Sequence, residues 1–258
     1  MNQVHPSAAQ GFAAAADTYV RGRPDYPADL LPWLTGELGL RAGRTCVDLG
    51  AGTGKFTKLL LRTGAEVIAV EPVTAMRDQL LAALPSARAV DGTAQAMPLA
   101  AASADGVLCA QSFHWFASAQ ALEEVHRVLK PGGQLGLVWN VRDDSVDWVA
   151  ALTRIFTPYE AGTPRYHSGD WRLPFTGGLF TELEETCFPH QHLGTPQEVI
   201  VDRTLSVSFI ASLPDRDRAE VERQLRTLIA THPDLRGRET IAFPYQTHAY
   251  RCSRVALG

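Results

Sequence analysis

VDLGAGTGKFT, residues 47 to 57, decides how the rest of the chain is read. Three glycines fall within five positions, after an apolar run and before a helical pattern. A phosphate-binding loop needs glycine, four residues, then Gly-Lys-Ser/Thr. Gly54 and Lys55 are present, but Leu49 replaces the first glycine and Phe56 replaces the metal-binding hydroxyl. A dinucleotide fingerprint needs glycines at its first, third and sixth positions. Gly50 and Gly52 fit, but Lys55 fills the sixth. A side chain there holds the helix away from the strand and crowds a pyrophosphate. The dinucleotide reading is weakened, and an NAD(P)-dependent oxidoreductase stays open.

Residues 44 to 141 alternate apolar runs with helical patterns. RTCVDL, EVIAVE, ARAVDG, ADGVLCAQ and QLGLVWN read as strands. KFTKLLLRTG, VTAMRDQLLAAL and AQALEEVHRVLKPGG read as the helices between them. Strand, helix, strand at this spacing means right-handed crossovers and a parallel α/β sheet covered on both faces. Ligands of such sheets bind at the carboxyl ends of the strands, where strand order reverses. Residues 6 to 39 read as two preceding helices. DWVAALTRIF, TPQEVIVD and DRDRAEVERQLRTLIATH read as later helices, ELEETCFPHQHL as a strand, and ETIAFPYQTHAYRCSRV as a final antiparallel strand.

The chain has 258 residues, of which 45% are hydrophobic and 20% charged, as in an ordinary globular protein. A formal net charge of -4 gives no basic excess, so neither nucleic acid nor a membrane surface is expected as a partner. Cys46, Cys109, Cys187 and Cys252 lie far apart. Without a Cys-x-x-Cys they read as buried free thiols of a reducing, cytoplasmic compartment. The N-terminus shows no leader pattern, and no apolar run reaches membrane-spanning length.

Asp48-Leu-Gly50-Ala-Gly52-Thr-Gly54 resembles the first motif of class I S-adenosylmethionine-dependent methyltransferases. That cofactor has an amino acid tail and a sulfonium but no phosphate, so glycines that let the main chain approach suit it. DGTAQAMPLAAASADGVLCAQSFHWF, RVLKPGGQLGLVWN, FAAAADTYVRGRPDYP and YRCSR also resemble members of this group, which includes small-molecule methyltransferases. The resemblance implies a Rossmann-like, doubly wound, seven-stranded mostly parallel sheet with a late antiparallel strand. It implies an N-terminal helical cap, residues 1–40, on a domain of residues 41–258. Segments 142–180 and 193–235 are then substrate-side insertions, the first of them directly after strand five.

It also implies a cofactor site. Asp48 supports the ammonium, and Gly50, Ala51, Gly52 and Gly54 form the loop. Glu71, beside Pro72 and Met76, accepts from the ribose hydroxyls, although a carboxylate there also suits NAD. Gly92, Thr93 and Ala94 lie by the adenine, and Gln111, Ser112 and Phe113 follow strand four. Tyr19 and Arg23 belong to a lid, with either one meeting the cofactor carboxylate.

Three candidates for chemistry stand out: His114, Trp115 and Tyr19. His114 could deprotonate or orient an acceptor, or merely shape the pocket. Trp115 could wall the pocket, face the sulfonium or pack the core. Asn140, Tyr166 and Trp171, with His114 and Trp115, are expected to meet the substrate. Tyr159, His167 and Phe175 add aromatic lining, and Arg165 and Arg172 could read a substrate carboxylate. His190 and His192 lack a third ligand by spacing, so no metal is expected. The expected activity is methyl transfer from S-adenosyl-L-methionine to a small-molecule acceptor, by a monomer or homodimer. A same-fold enzyme that cyclises the cofactor's own side chain is the alternative.

Overall fold

The computed structural model describes residues 23–160 and 162–256. Most of the expected cap, including Tyr19, lies outside the described residues. Helix α1 (Leu30–Gly36) leads into strand β1 (Thr45–Leu49), helix α2 (Lys55–Leu61), strand β2 (Glu66–Val70), helix α3 (Thr74–Ala83), strand β3 (Arg88–Val90) and strand β4 (Ala104–Ala110). Helix α4 (Ala119–Val128) and strand β5 (Leu129–Arg142) complete the parallel part. Helix α5 (Asp147–Phe156) and a run of short 3-10 turns follow, then strand β6 (Glu184–Gly194). Short helices α6 (Arg203–Leu205) and α7 (Ser208–Ala211), the longer α8 (Asp215–Thr231) and strand β7 (Ile241–Ser253) end the chain.

The seven strands form one sheet in the order β3-β2-β1-β4-β5-β7-β6. All pairings are parallel except those of β7, which runs against both β5 and β6. The order reverses between β1 and β4, which opens a crevice at their carboxyl ends.

Side-chain alternation fills both faces. Val47, Leu49, Val107, Cys109, Leu135 and Leu137 meet α4 through Leu122, Val125 and Val128 in one cluster. Cys46, Val67, Leu108 and Val138 meet α1 and α2 through Leu34, Leu59 and Leu60 in another. The strands therefore read as continuous apolar runs, as two-sided burial requires. Cys46, Cys109 and Cys252 are buried. Cys187 departs from expectation, because it sits exposed on β6 with Sγ 3.3 Å from His248 Nδ1.

Two elements differ from the sequence reading. The helix expected through Gly133 stops at Val128, and Leu129 is already extended. Pro131 disfavours the helical conformation of the residue before it and would break a helix running through, so Leu129–Lys130 joins β5 instead. TPQEVIVD starts as expected, since Glu198 N donates to Thr195 Oγ1 and Thr195 N donates to Glu198 Oε2, a capping box. Its turns are then π-type over Gln197–Asp202, which buries Val199, Ile200 and Val201 in succession. Those residues join Trp148, Leu152 and Phe156 of α5, Val221 and Leu225 of α8, and Phe243 of β7 in a third core. Segments 142–180 and 193–235 thus share this core. Strand β6 is the opposite of a buried strand: Glu184, Glu185, Pro189 and Leu193 are exposed along it.

Trp171, from the first insert, is 1% exposed and lies 4.6 Å from the Trp139 ring and 5.0 Å from Tyr250. Its Nε1 donates to the Tyr166 carbonyl. It is a core residue, which corrects its expected contact with substrate. Trp171→Ala should cost about 3–5 kcal/mol of stability by cavity formation, read from urea denaturation.

Candidate active site

The loops after β1, β2, β3, β4 and β5 surround a cleft of about 310 Å³. Gly50 and Gly54 have φ of +72° and +87°, where side chains are strained. Space excludes a side chain as well: a Cβ on Gly50 would fall 2.8 Å from Ser112 Cβ, and one on Gly54 would fall 2.8 Å from Leu80 Cγ. The turn is pinned by Gly50 N and Ala51 N, which donate to Val70 O. Glu71 holds it from the other side, accepting from Gly52 N through Oε2 and from Val73 N through Oε1, both at 2.9 Å. Burial raises the Glu71 pKa, and these two amides oppose the rise.

Asp48 ends β1 beneath this turn, 1% exposed. Its Oδ2 accepts from Thr57 Oγ1 at 2.6 Å. Its Oδ1 is buried and bonds to nothing among the described residues. Burial pushes its pKa up to about 7 against the Thr57 hydrogen bond. Thr93 Oγ1, across the cleft, is likewise buried and unmatched.

Lys55, the residue that spoils the dinucleotide pattern, has a structural use. Its Nζ donates to the Arg23 carbonyl and stands 3.6 Å from Asp25 Oδ1. Asn140 Nδ2 donates to the Asp25 carbonyl, while Asn140 Oδ1 accepts from Thr247 Oγ1. Tyr26 packs edge-on to Phe56 with ring centroids 4.9 Å apart. Residues 23–26 are thus tied to the glycine turn and to β5. Asn140 lines the cleft, but both its polar atoms already serve the protein.

Beyond β4, Ser112 Oγ donates to Leu49 O, and Gln111 takes a φ of +60°. That conformation costs a non-glycine residue about 1–3 kcal/mol. Trp139 Nε1 donates to His114 Nδ1 at 3.0 Å. An indole nitrogen only donates, so Nδ1 is the acceptor and the ring proton sits on Nε2. Burial, with the charges of Arg165 and Arg23, lowers the His114 pKa to about 3. His114 thus presents a neutral ring whose remaining polar position is the Nε2–H donor, which favours the orienting use among those expected for it.

Most of the expected residues do meet at the cleft. Arg23, Asp48, Gly50, Ala51, Gly52 and Glu71 line it, as do Pro72, Met76, Gly92, Thr93 and Ala94. Gln111, Ser112, His114, Trp115, Asn140, Tyr166, Arg165 and His167 line it too. The other expected residues among those described do not, Tyr159 for one packing on the third core. Gly54 backs onto Leu80, Phe113 is fully buried in the sheet core, and Trp171 lies behind Trp139. Phe175 also packs in that core, and Arg172 is drawn away to Tyr250 Oη and the Trp171 face. Residues the sequence did not single out also line the cleft, including Arg142, Arg203, Phe209 and Tyr245. Alternation along the end of β5 could have flagged Arg142, two residues past Asn140.

Fold, glycine turn and the acids at the ends of β1 and β2 fit an enzyme of the methyltransferase class. Comparison with known proteins agrees. Residues 47–137 match the family model described as a methyltransferase domain. An uncharacterized methyltransferase-like protein of Schizosaccharomyces pombe is 39% identical over 93% of this chain and 93% of its own. An uncharacterized methyltransferase of Mycobacterium tuberculosis is 40% identical over 94% of this chain and 95% of its own. Among solved structures, the YcgJ protein of Bacillus subtilis has a TM-score of 0.57 at 19% identity, over 90% of this chain and 100% of that one. Phosphoethanolamine N-methyltransferase 2 of Haemonchus contortus, solved with S-adenosyl-L-methionine, has a TM-score of 0.55 at 14% identity, over 96% of this chain and 57% of that one.

The chain belongs to the methyltransferase-domain family, and its cofactor is S-adenosyl-L-methionine. The site fits that cofactor. A buried carboxylate oxygen and a buried hydroxyl await donors or acceptors, and the turn admits no side chain where the main chain must come close.

Asp48 supplies a test. Its pKa is 3.8 unperturbed and about 7 when folded. Between these values the native state keeps a proton that the unfolded chain has released, so stability falls as pH rises through that window. Asp48→Asn keeps an acceptor for Thr57 and removes this loss. The ligand-free variant should exceed the parent by roughly 1–4 kcal/mol at pH 8 and match it near pH 4, measured by urea denaturation at both values. Its affinity for S-adenosylhomocysteine should fall about tenfold or more.

Proposed function

We propose that the enzyme methylates a small molecule held in the half of the cleft away from the glycine turn. The observation that supports this is the division of the cleft. Asp48 and Glu71 line it beside the glycine turn, while Arg142, Arg165 and Arg203, with Tyr166, Phe209 and Tyr245, line it from β5, β7 and the segments after β5 and β6. A cleft of about 310 Å³ in a chain without basic excess suits a small acceptor better than RNA or DNA.

In this reading Asp48 accepts from the ammonium of the cofactor, and Glu71 keeps spare lone pairs for the ribose hydroxyls. Arg23 meets the tail carboxylate, and Gly92, Thr93 and Ala94 border the adenine. The bound cofactor supplies an activated methyl group on a sulfonium. The chain supplies placement: it excludes water and aligns acceptor, methyl and sulfur for in-line displacement. His114, with Nδ1 committed to Trp139, offers Nε2–H to orient the acceptor. Trp115 and Tyr166 wall the site. Free thiols that form no disulfide are consistent with a reducing, cytoplasmic setting. No helix among the described residues is long and apolar enough to cross a membrane.

The decisive experiment is mass spectrometry of turnover products. A methylated acceptor with S-adenosylhomocysteine is expected; methylthioadenosine without a methylated acceptor would replace this reading with cofactor cyclisation. His114→Gln should slow turnover about tenfold through a lost orienting bond while cofactor affinity stays within threefold. No limb near pH 6.5 should belong to His114. A limb there that disappears in the variant would restore its role as base.

A further inference from the structure

The far half of the cleft holds more positive charge than its surroundings neutralise. Arg142, Arg165 and Arg203 line it from three different segments: the end of β5, the first insert and the start of α6. The carboxylates that line the cleft, Asp48 and Glu71, both stand at the glycine-turn end.

Two of the three arginines stack on rings, and one carboxylate, Glu160, pairs with the set among the described residues. Arg142 stacks on Phe156, with its guanidinium carbon 4.1 Å from the ring centre. Arg165 stacks on Phe209 at 4.9 Å and reaches one carboxylate, Glu160, at 3.2 Å. Arg203 has Nε and Nη1 buried with no hydrogen-bond partner among the described residues. Beside them, Tyr245, which pairs with Arg142 across β5 and β7, has a buried Oη that is also unpartnered. The charges feel one another: burial, then Arg203, brings the Arg142 pKa down to about 9. Asp144 lies near Arg142 and opposes this, but it is exposed on the surface.

Gathering guanidinium groups in a partly dry site costs free energy unless an anion arrives to share them. Planar guanidinium forks fit a carboxylate or phosphate in two-point fashion. We propose that the acceptor carries an oxyanion, a carboxylate or a phosphate, bound by Arg142, Arg165 and Arg203 with the Tyr245 hydroxyl. This rests on the small-molecule reading above and narrows it. Arg23, bound to the glycine turn through Lys55, belongs to the cofactor end and is not part of this set.

The test is binding to full-length protein saturated with S-adenosylhomocysteine, read by thermal shift and calorimetry. The probes are succinate and glycerol 3-phosphate, with succinamide and glycerol as neutral counterparts. At least one anion should bind and its neutral counterpart should not; which anion binds separates carboxylate from phosphate. Arg203→Gln should weaken that binding about tenfold or more, with S-adenosylhomocysteine affinity within threefold of the parent as the check on folding. Arg142→Gln serves as the second variant under the same check. Equal binding of anions and neutral counterparts, no binding of either anion, or unchanged anion affinity in both variants would overturn the proposal. In those cases a methylated neutral acceptor would still leave the small-molecule reading standing.

Discussion

A carboxylate taken out of water needs partners, and Asp48 is matched on one side only. Thr57 serves one oxygen and the other faces the cleft. The free energy withheld from folding at this position is available to a ligand that brings a positive charge or a donor. Its location follows from the sheet. Strand order reverses next to β1, and the chain leaves that strand through a turn with no room for a side chain at Gly50 or Gly54. The glycines, the Glu71 bridge to Gly52 and the Ser112 bond to Leu49 all keep that turn in shape. Stability and binding are in tension here, as is common where a site stores unsatisfied groups.

The opposite wall carries packed rings beside its arginines. Trp139 touches Trp171, Tyr166 and Tyr250 and spends its only donor on His114. That single bond fixes the tautomer of His114, and burial keeps the ring neutral. A histidine whose sequence leaves base, orienting and pocket-shaping uses open thereby presents a donor of fixed direction. Its chemical character is set by a residue on a different strand.

The glycine turn, its acids and the first five strands were legible because their signals are local. Periodicity, glycine spacing and a strand-end carboxylate each lie within one short segment. The late antiparallel strand and the insert after strand five were legible for similar reasons. What stayed hidden depends on long-range placement. Trp171 and Tyr166 lie five positions apart in an irregular segment, and nothing local tells which ring faces the cleft and which the core. Arg142 and Arg203 are separated by the whole of the first insert and β6, and converge only because α5 and the π-type turn share a core. The helix overrun past Val128 has a plainer cause, since Pro131 was read as a terminator when it already lay inside a strand.

The two rims of the sheet also have a consequence for how copies of this protein meet. One rim is β3, three residues long. The other is β6, with Pro189 in its middle and acidic side chains at its start. A proline has no amide hydrogen to offer a newcomer, and exposed charges repel a like neighbour. Among the described residues, both borders thus carry features that disfavour strand addition.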